Sequence, residues 1–123
     1  MIIKTTLKVD GYNADLSPQL LLYEGDVVYI EFTLYNKILS SINGRKVEKN
    51  LPLSSLADVK LILRTPNGTQ TLESMEIIEN KVKFRMDVSD TIGVYDFQMV
   101  CYDGDGCVFH LPPCTYTIAD AMD

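Results

Sequence analysis

Residues 27–35 read Val-Val-Tyr-Ile-Glu-Phe-Thr-Leu-Tyr. In an extended chain Val28, Ile30, Phe32 and Leu34 share one face, and Tyr29, Glu31, Thr33 and Tyr35 share the other. Period two, carried by β-branched and aromatic residues, marks a half-buried strand. The same rhythm returns downstream. Residues 81–87 alternate Val82, Phe84 and Met86 with Lys81, Lys83 and Arg85, and 59–64 set Val59, Leu61 and Leu63 against Lys60 and Arg64. Residues 94–102 put Tyr95, Phe97, Met99 and Cys101 on one side, and 115–118 turn Tyr116 and Ile118 inward. Residues 3–9 and 74–78 read as weaker strands. No window carries a convincing helical stripe longer than two turns.

Turn chemistry separates these runs. Glu24-Gly25-Asp26 precedes the first strong strand, and Pro66-Asn67-Gly68 is a tight turn whose last two residues tolerate positive φ. Asp103-Gly104-Asp105-Gly106 reads as the turn of a hairpin, and Pro112-Pro113 breaks the final strand because proline cannot donate a ladder hydrogen bond. About seven to nine short strands in so few residues predict an all-β fold, an immunoglobulin-like antiparallel β-sandwich. The expected organisation is one domain over residues 1–123 with a long loop or insertion at 36–58.

Asp90-Thr91-Ile92-Gly93-Val94-Tyr95 enters the penultimate strong strand. An Asp, a Gly and then a Tyr there resemble a tyrosine corner, in which the phenol bonds back to nearby backbone. In antibody domains a Cys follows two residues later. Phe97 holds that slot here, so apolar packing is expected to replace the inter-sheet disulfide.

Residues 36–58 are too long for a structureless loop in a small domain. Their centre, Ile38 to Val47, could turn as a hairpin at Asn43-Gly44. The segment also collects Lys37, Arg45, Lys46 and Lys49, four of the eleven basic residues.

The 123 residues and 13.9 kDa suit one domain, with about 6,700 Å² of folded surface expected for that mass. Eleven basic against seventeen acidic residues leave a net charge of -6, which demotes nucleic acid and anionic membrane as partners. No run approaches the ~18 apolar residues of a membrane-spanning helix. The opening Met1-Ile2-Ile3-Lys4-Thr5-Thr6 does not read as a secretory signal.

Cys101, Cys107 and Cys114 are odd in number and read as reduced thiols; a Cys101–Cys107 bridge requires a hairpin symmetric about Gly104. Their five- and six-residue gaps do not match zinc ligand spacing. Asp103 could open a calcium loop, but the twelfth position, where a bidentate carboxylate is needed, is Cys114. His110 has no Ser or Cys at a suggestive spacing, and no Gly-rich phosphate loop is present. The reading is therefore non-enzymatic, with no catalytic, metal or cofactor residues and no cofactor. Candidate partner contacts are Tyr29 and Tyr35, which put aromatic area on the outward face of their strand, and Arg45 and Lys46 in the basic segment.

The ordered motifs run Glu24-Gly25-Asp26, the strand ending at Tyr35-Asn36, Leu56-Ala57-Asp58 with the strand after it, Pro66-Asn67-Gly68, 82–86, Gly93-Val94-Tyr95, the 102–106 turn and Tyr116-Thr117-Ile118. Over roughly residues 3–120 this series resembles the immunoglobulin-like N-terminal domain of phage baseplate upper proteins. The resemblance implies a structural role in the virion tail of a phage or prophage, made in the bacterial cytoplasm, docking to other baseplate proteins and trimeric in the assembled particle. The alternative is a carbohydrate- or protein-binding sandwich that uses Tyr29, Tyr35 or Tyr102 as its aromatic platform.

Overall fold

Alternation becomes strand along most of the chain. In the computed structural model, which describes residues 2–122, the elements run β1 (Ile2–Val9), β2 (Ala14–Ser17), β3 (Leu20–Tyr23), β4 (Val27–Ile42), β5 (Arg45–Pro52), β6 (Leu56–Thr65), β7 (Gly68–Glu73), β8 (Glu76–Ile78), β9 (Lys81–Asp87), β10 (Gly93–Asp103), β11 (Val108–His110) and β12 (Cys114–Ala119). Met1 and Asp123, the ends of the expected domain, lie outside the described residues. There is no helix among the described residues.

Two six-stranded sheets face each other as a β-sandwich. The first runs β2-β1-β4-β9-β8 with β5 also on β4; the second runs β3-β12-β10-β6-β7 with β11 also on β10. The expected face of β4 is the core face: Val28, Ile30, Phe32 and Leu34 are all buried, as are Val82, Phe84 and Met86 of β9. They meet Val59, Leu61, Leu63, Phe97, Met99, Tyr116 and Ile118 of the second sheet. Phe97 lies 5.7 Å from Phe32 of the facing sheet and 6.1 Å from Tyr116, so an aromatic contact spans the two sheets at that position. Burying each such ring contributes about 1.5–3 kcal/mol.

Two features differ from expectation. The sheets are mixed rather than antiparallel, because β1 pairs with β4 and β3 with β12 in parallel. Among the described residues the strands number twelve rather than about seven to nine. Both differences have a physical origin. The opening segment is divided at Pro18, with β2 in the first sheet and β3 in the second, and each piece joins its own set of neighbours. The Thr5 hydroxyl, buried in the first sheet, donates to the Pro18 carbonyl at 2.6 Å and pins this crossing. At the other end, Pro112-Pro113 separates β11 from β12, as a missing ladder donor dictates.

The tyrosine corner forms. The Tyr95 phenol donates to the Thr91 carbonyl at 2.6 Å and lies 3.1 Å from the Thr91 hydroxyl. Gly93 lets the ring lie against the backbone: a Cβ there would stand 3.4 Å from the phenol oxygen and 3.5 Å from ring carbons.

Residues 36–58 are not a loop. β4 continues for sixteen residues and turns at Asn43-Gly44, with φ of 52° and 75°, into β5. Positive φ at both turn residues matches the twist of the strands they join. The inner edge of this arm is fastened at Asn80, which is buried. Its backbone carbonyl accepts the Leu34 N–H at 2.9 Å, and its side-chain amide donates to the Leu34 carbonyl at 2.9 Å. The Leu53 N–H reaches that same carbonyl at 3.1 Å. Beyond this point β5 pairs with β4 alone. The protruding arm helps to explain a surface of 7631 Å², against the ~6,700 Å² expected of an average globule of this mass.

Candidate contact surface

The outer face of the first sheet carries the polar half of each alternating strand. Pairing brings Ile2 and Arg85 beside Tyr29, Lys4 and Lys83 beside Glu31, Lys81 beside Thr33, and Lys8 beside Tyr35. The arm continues the same face with Lys37, Leu39 and Lys46. Register thus places seven of the eleven basic residues here, Lys4, Lys8, Lys37, Lys46, Lys81, Lys83 and Arg85. Five acidic residues share the face: Asp15, Glu31, Glu48, Glu76 and Asp87. A face that leans positive on a chain of net charge -6 is a marked asymmetry.

Part of this charge is neutralised locally. Arg85 reaches Asp87 at 3.0 Å, Lys83 reaches Glu76 at 3.5 Å, and Lys37 bridges Asp15 at 3.2 Å and Glu48 at 3.8 Å. The hydrogen bond to Asp15, and next the charge of Glu48, hold the Lys37 ammonium above its ordinary 10.5, so it remains charged at neutral pH. Such exposed pairs add little to stability, but they fix where side chains stand. Lys4, Lys8, Lys46 and Lys81 have no carboxylate within 4.0 Å among the described residues.

Of the four sequence-derived candidates, Tyr29, Tyr35 and Lys46 lie on this one face. Tyr29 is 37% exposed and Tyr35 is half-buried between Lys8 and Pro52. Arg45 does not join them. It stands opposite Ile42, on the arm's other face. The contributions of Lys4 and Lys8 were missed by sequence reasoning. Their outward alternation was readable, but nothing local says that β1 lies beside β4.

The remaining chemistry is dispersed. His110 is exposed at the end of β11. Cys101 and Cys114 are buried, Cys107 is exposed, and all three are free. In the β10–β11 hairpin Cys101 stands opposite Phe109 rather than Cys107, so the turn is not centred on Gly104. Burial pushes the Cys101 and Cys114 thiols up to about 11, with the Asp15 charge adding to the effect at Cys114. The Asp103 carboxylate accepts the Asp105 and Cys107 N–H groups, each at 2.9 Å, so it works as a turn acceptor. No group of three His, Cys, Asp or Glu among the described residues is placed to hold a metal ion. Open depressions of about 340 Å³ lie beside Ile62, Arg64 and Asp96 on the second sheet, and beside Asp10, Lys37 and Glu48 at the root of the arm. The surface is equipped for contact through charge, tyrosine and exposed strand edges.

Against family models, curated proteins and solved structures the chain gives no match.

Proposed function

We propose that this β-sandwich is a non-enzymatic assembly module of immunoglobulin type, belonging to a phage or prophage tail baseplate and docking there to other baseplate proteins. The observation that carries the reading is the ordered motif series over roughly residues 3–120, and the Tyr95 bond to the Thr91 carbonyl supports its immunoglobulin-type part. The outer face of the first sheet, with Tyr29, Tyr35 and unpaired lysines, is a surface suited to a protein partner. Interfaces of this kind draw on tyrosine and arginine, and on charge for approach.

The test is capture of purified tail components by the immobilised chain, repeated with Tyr29→Ala/Arg85→Glu. Binding of one component, weakened at least ~tenfold by the double variant, is the expected result. Absence of binding to every tail component sinks the reading. A glycan array probed in parallel carries the carbohydrate-binding alternative, and hits there lost on Tyr29→Ala or Tyr35→Ala would replace the assembly reading.

A further inference from the structure

β4 joins two unlike ends of the molecule. Its sixteen residues span about 50 Å, with Val27 at one pole and the arm at the other. The arm segment, residues 36–55, holds four basic residues and one acidic residue, a net +3. The other 103 residues hold seven basic and sixteen acidic, a net -9.

The arm continues the core face of β4 into solvent. Register puts Ile38, Ile42, Val47 and Leu51 on that face together with Arg45 and Lys49. Ile38, Ile42 and Leu51 are 39–48% exposed, a row of apolar side chains left uncovered. Arg45, Lys46 and Lys49 have no carboxylate within 4.0 Å among the described residues.

The opposite pole is its complement. There the Gly25 N–H donates to Val88 O and the Val88 N–H to Asp26 O, each at 2.7 Å, and the Glu24 N–H donates to Ala119 O at 3.0 Å. These bonds gather Glu24, Asp26, Asp90 and Asp120 at one end of the sandwich. None of the four carboxylates has a cation within 4.0 Å among the described residues. Val27, Ile92 and Val94, all more than half exposed, supply apolar surface beside them.

We propose that the arm of one copy docks head to tail on the acidic pole of a second copy of this chain. The occupant follows from charge complementarity: a basic, apolar strip and an acidic, apolar pole are carried by the same molecule, too far apart to meet within it. Such a contact joins different patches, so it propagates from copy to copy or closes into a ring. It rests on the assembly reading and supplies a partner for it. One arm face, about 26 Å by about 10 Å, is smaller than a standard interface, so association is expected to be weak and transient.

Sedimentation equilibrium of the full chain tests this. Self-association is expected to weaken at least tenfold as salt rises from about 0.05 M to about 0.5 M. Arg45→Glu/Lys49→Glu, both on the docking face of the arm, and Glu24→Lys/Asp90→Lys/Asp120→Lys are each expected to be folded by circular dichroism and monomeric. Mixing the two restores association, because each then offers the charge the other needs. A monomer at about 1 mM and low salt overturns the proposal, as does association unchanged by the arm reversal, or folded variants that fail to associate when mixed. A monomeric chain that still binds a tail component overturns head-to-tail docking and leaves the assembly reading standing. Self-association without any tail partner does the reverse.

Discussion

Tyr95→Phe removes a single oxygen from the corner between β9 and β10. The lost bond is the phenol's 2.6 Å donation to the Thr91 carbonyl, together with its 3.1 Å contact to the Thr91 hydroxyl. The ring stays, and so does its packing on Tyr116, whose centroid is 5.7 Å away. Because the corner is near solvent, water can reach the released carbonyl, and the net cost is about 1 kcal/mol rather than the larger penalty of a buried orphan. At about 2.1 cal/mol/K per residue the chain's unfolding entropy is roughly 260 cal/mol/K, so Tm is expected to fall by about 4 °C. Tyr95→Ala also deletes the ring and is expected to cost about 3 kcal/mol or more. Thr91→Val separates the two contacts, since it spares the carbonyl, and is expected to cost about 0.5 kcal/mol. Denaturant melts of the single variants and of the Thr91→Val/Tyr95→Phe double variant give the coupling directly. A Tyr95→Phe protein within about 0.3 kcal/mol of the parent, or as unstable as Tyr95→Ala, would refute the assignment of stability to the phenolic bond.

Phe32→Ala empties a fully buried site beside Phe84 at 6.0 Å and Phe97 at 5.7 Å. A loss of about 3–5 kcal/mol is expected, visible as a large fall in the urea midpoint; a loss under about 1 kcal/mol would mean the sheets do not meet there. The buried Tyr116 hydroxyl has no hydrogen-bond partner among the described residues, and burial first, then Asp90 and Tyr95, pushes its pKa up to about 12. Tyr116→Phe is therefore expected to raise stability by about 1 kcal/mol in the same melts, and a fall instead would reveal a partner for that oxygen. Intact mass after iodoacetamide treatment at pH 8 is expected to show one adduct, on exposed Cys107, in the folded protein and three in denaturant. Because burial raises the Cys101 and Cys114 thiols to about 11, their contribution is fully present below the ordinary thiol value of 9.0. It is lost as pH rises from there through about 11, so the unfolding midpoint should decline across that window. A flat midpoint across it would contradict the burial of both thiols.

Legibility followed burial. Where one face of a strand meets the core and the other meets water, as in β4 and β9, hydrophobicity alternates and the sequence shows both the strand and its orientation. The tyrosine corner and the Asn43-Gly44 turn were readable because their chemistry is local. β7 escaped notice because its inward face carries Gly68, Gln70 and Leu72, of which only Leu72 is apolar and partly buried, leaving no alternation of hydrophobicity to see. β2, β3 and β11 have four or three residues each, too short for a periodic signal. The two parallel pairings were invisible for a different reason: β1 meets β4, and β3 meets β12, through contacts that no neighbouring residues encode. The candidate surface was legible in the same proportion. Tyr29 and Tyr35 fell together because alternation predicts faces, whereas Lys46 joined them through the hairpin register set at Asn43-Gly44, and Lys4 and Lys8 through pairing alone.

The continuity of β4 also decides how the molecule carries load. A pull on the arm along the strand axis enters a segment held on both edges, by β1 over Tyr29 to Asn36 and by β9 over Val27 to Thr33. Those hydrogen bonds lie across the direction of pull and must yield together, in shear, rather than one after another. The outer part of the arm is paired with β5 only, so among the described residues it passes the pull inward without adding to that clamp. Tension applied there is therefore first resisted at Leu34, where Asn80 and Leu53 converge and the sandwich begins to bear load as a unit.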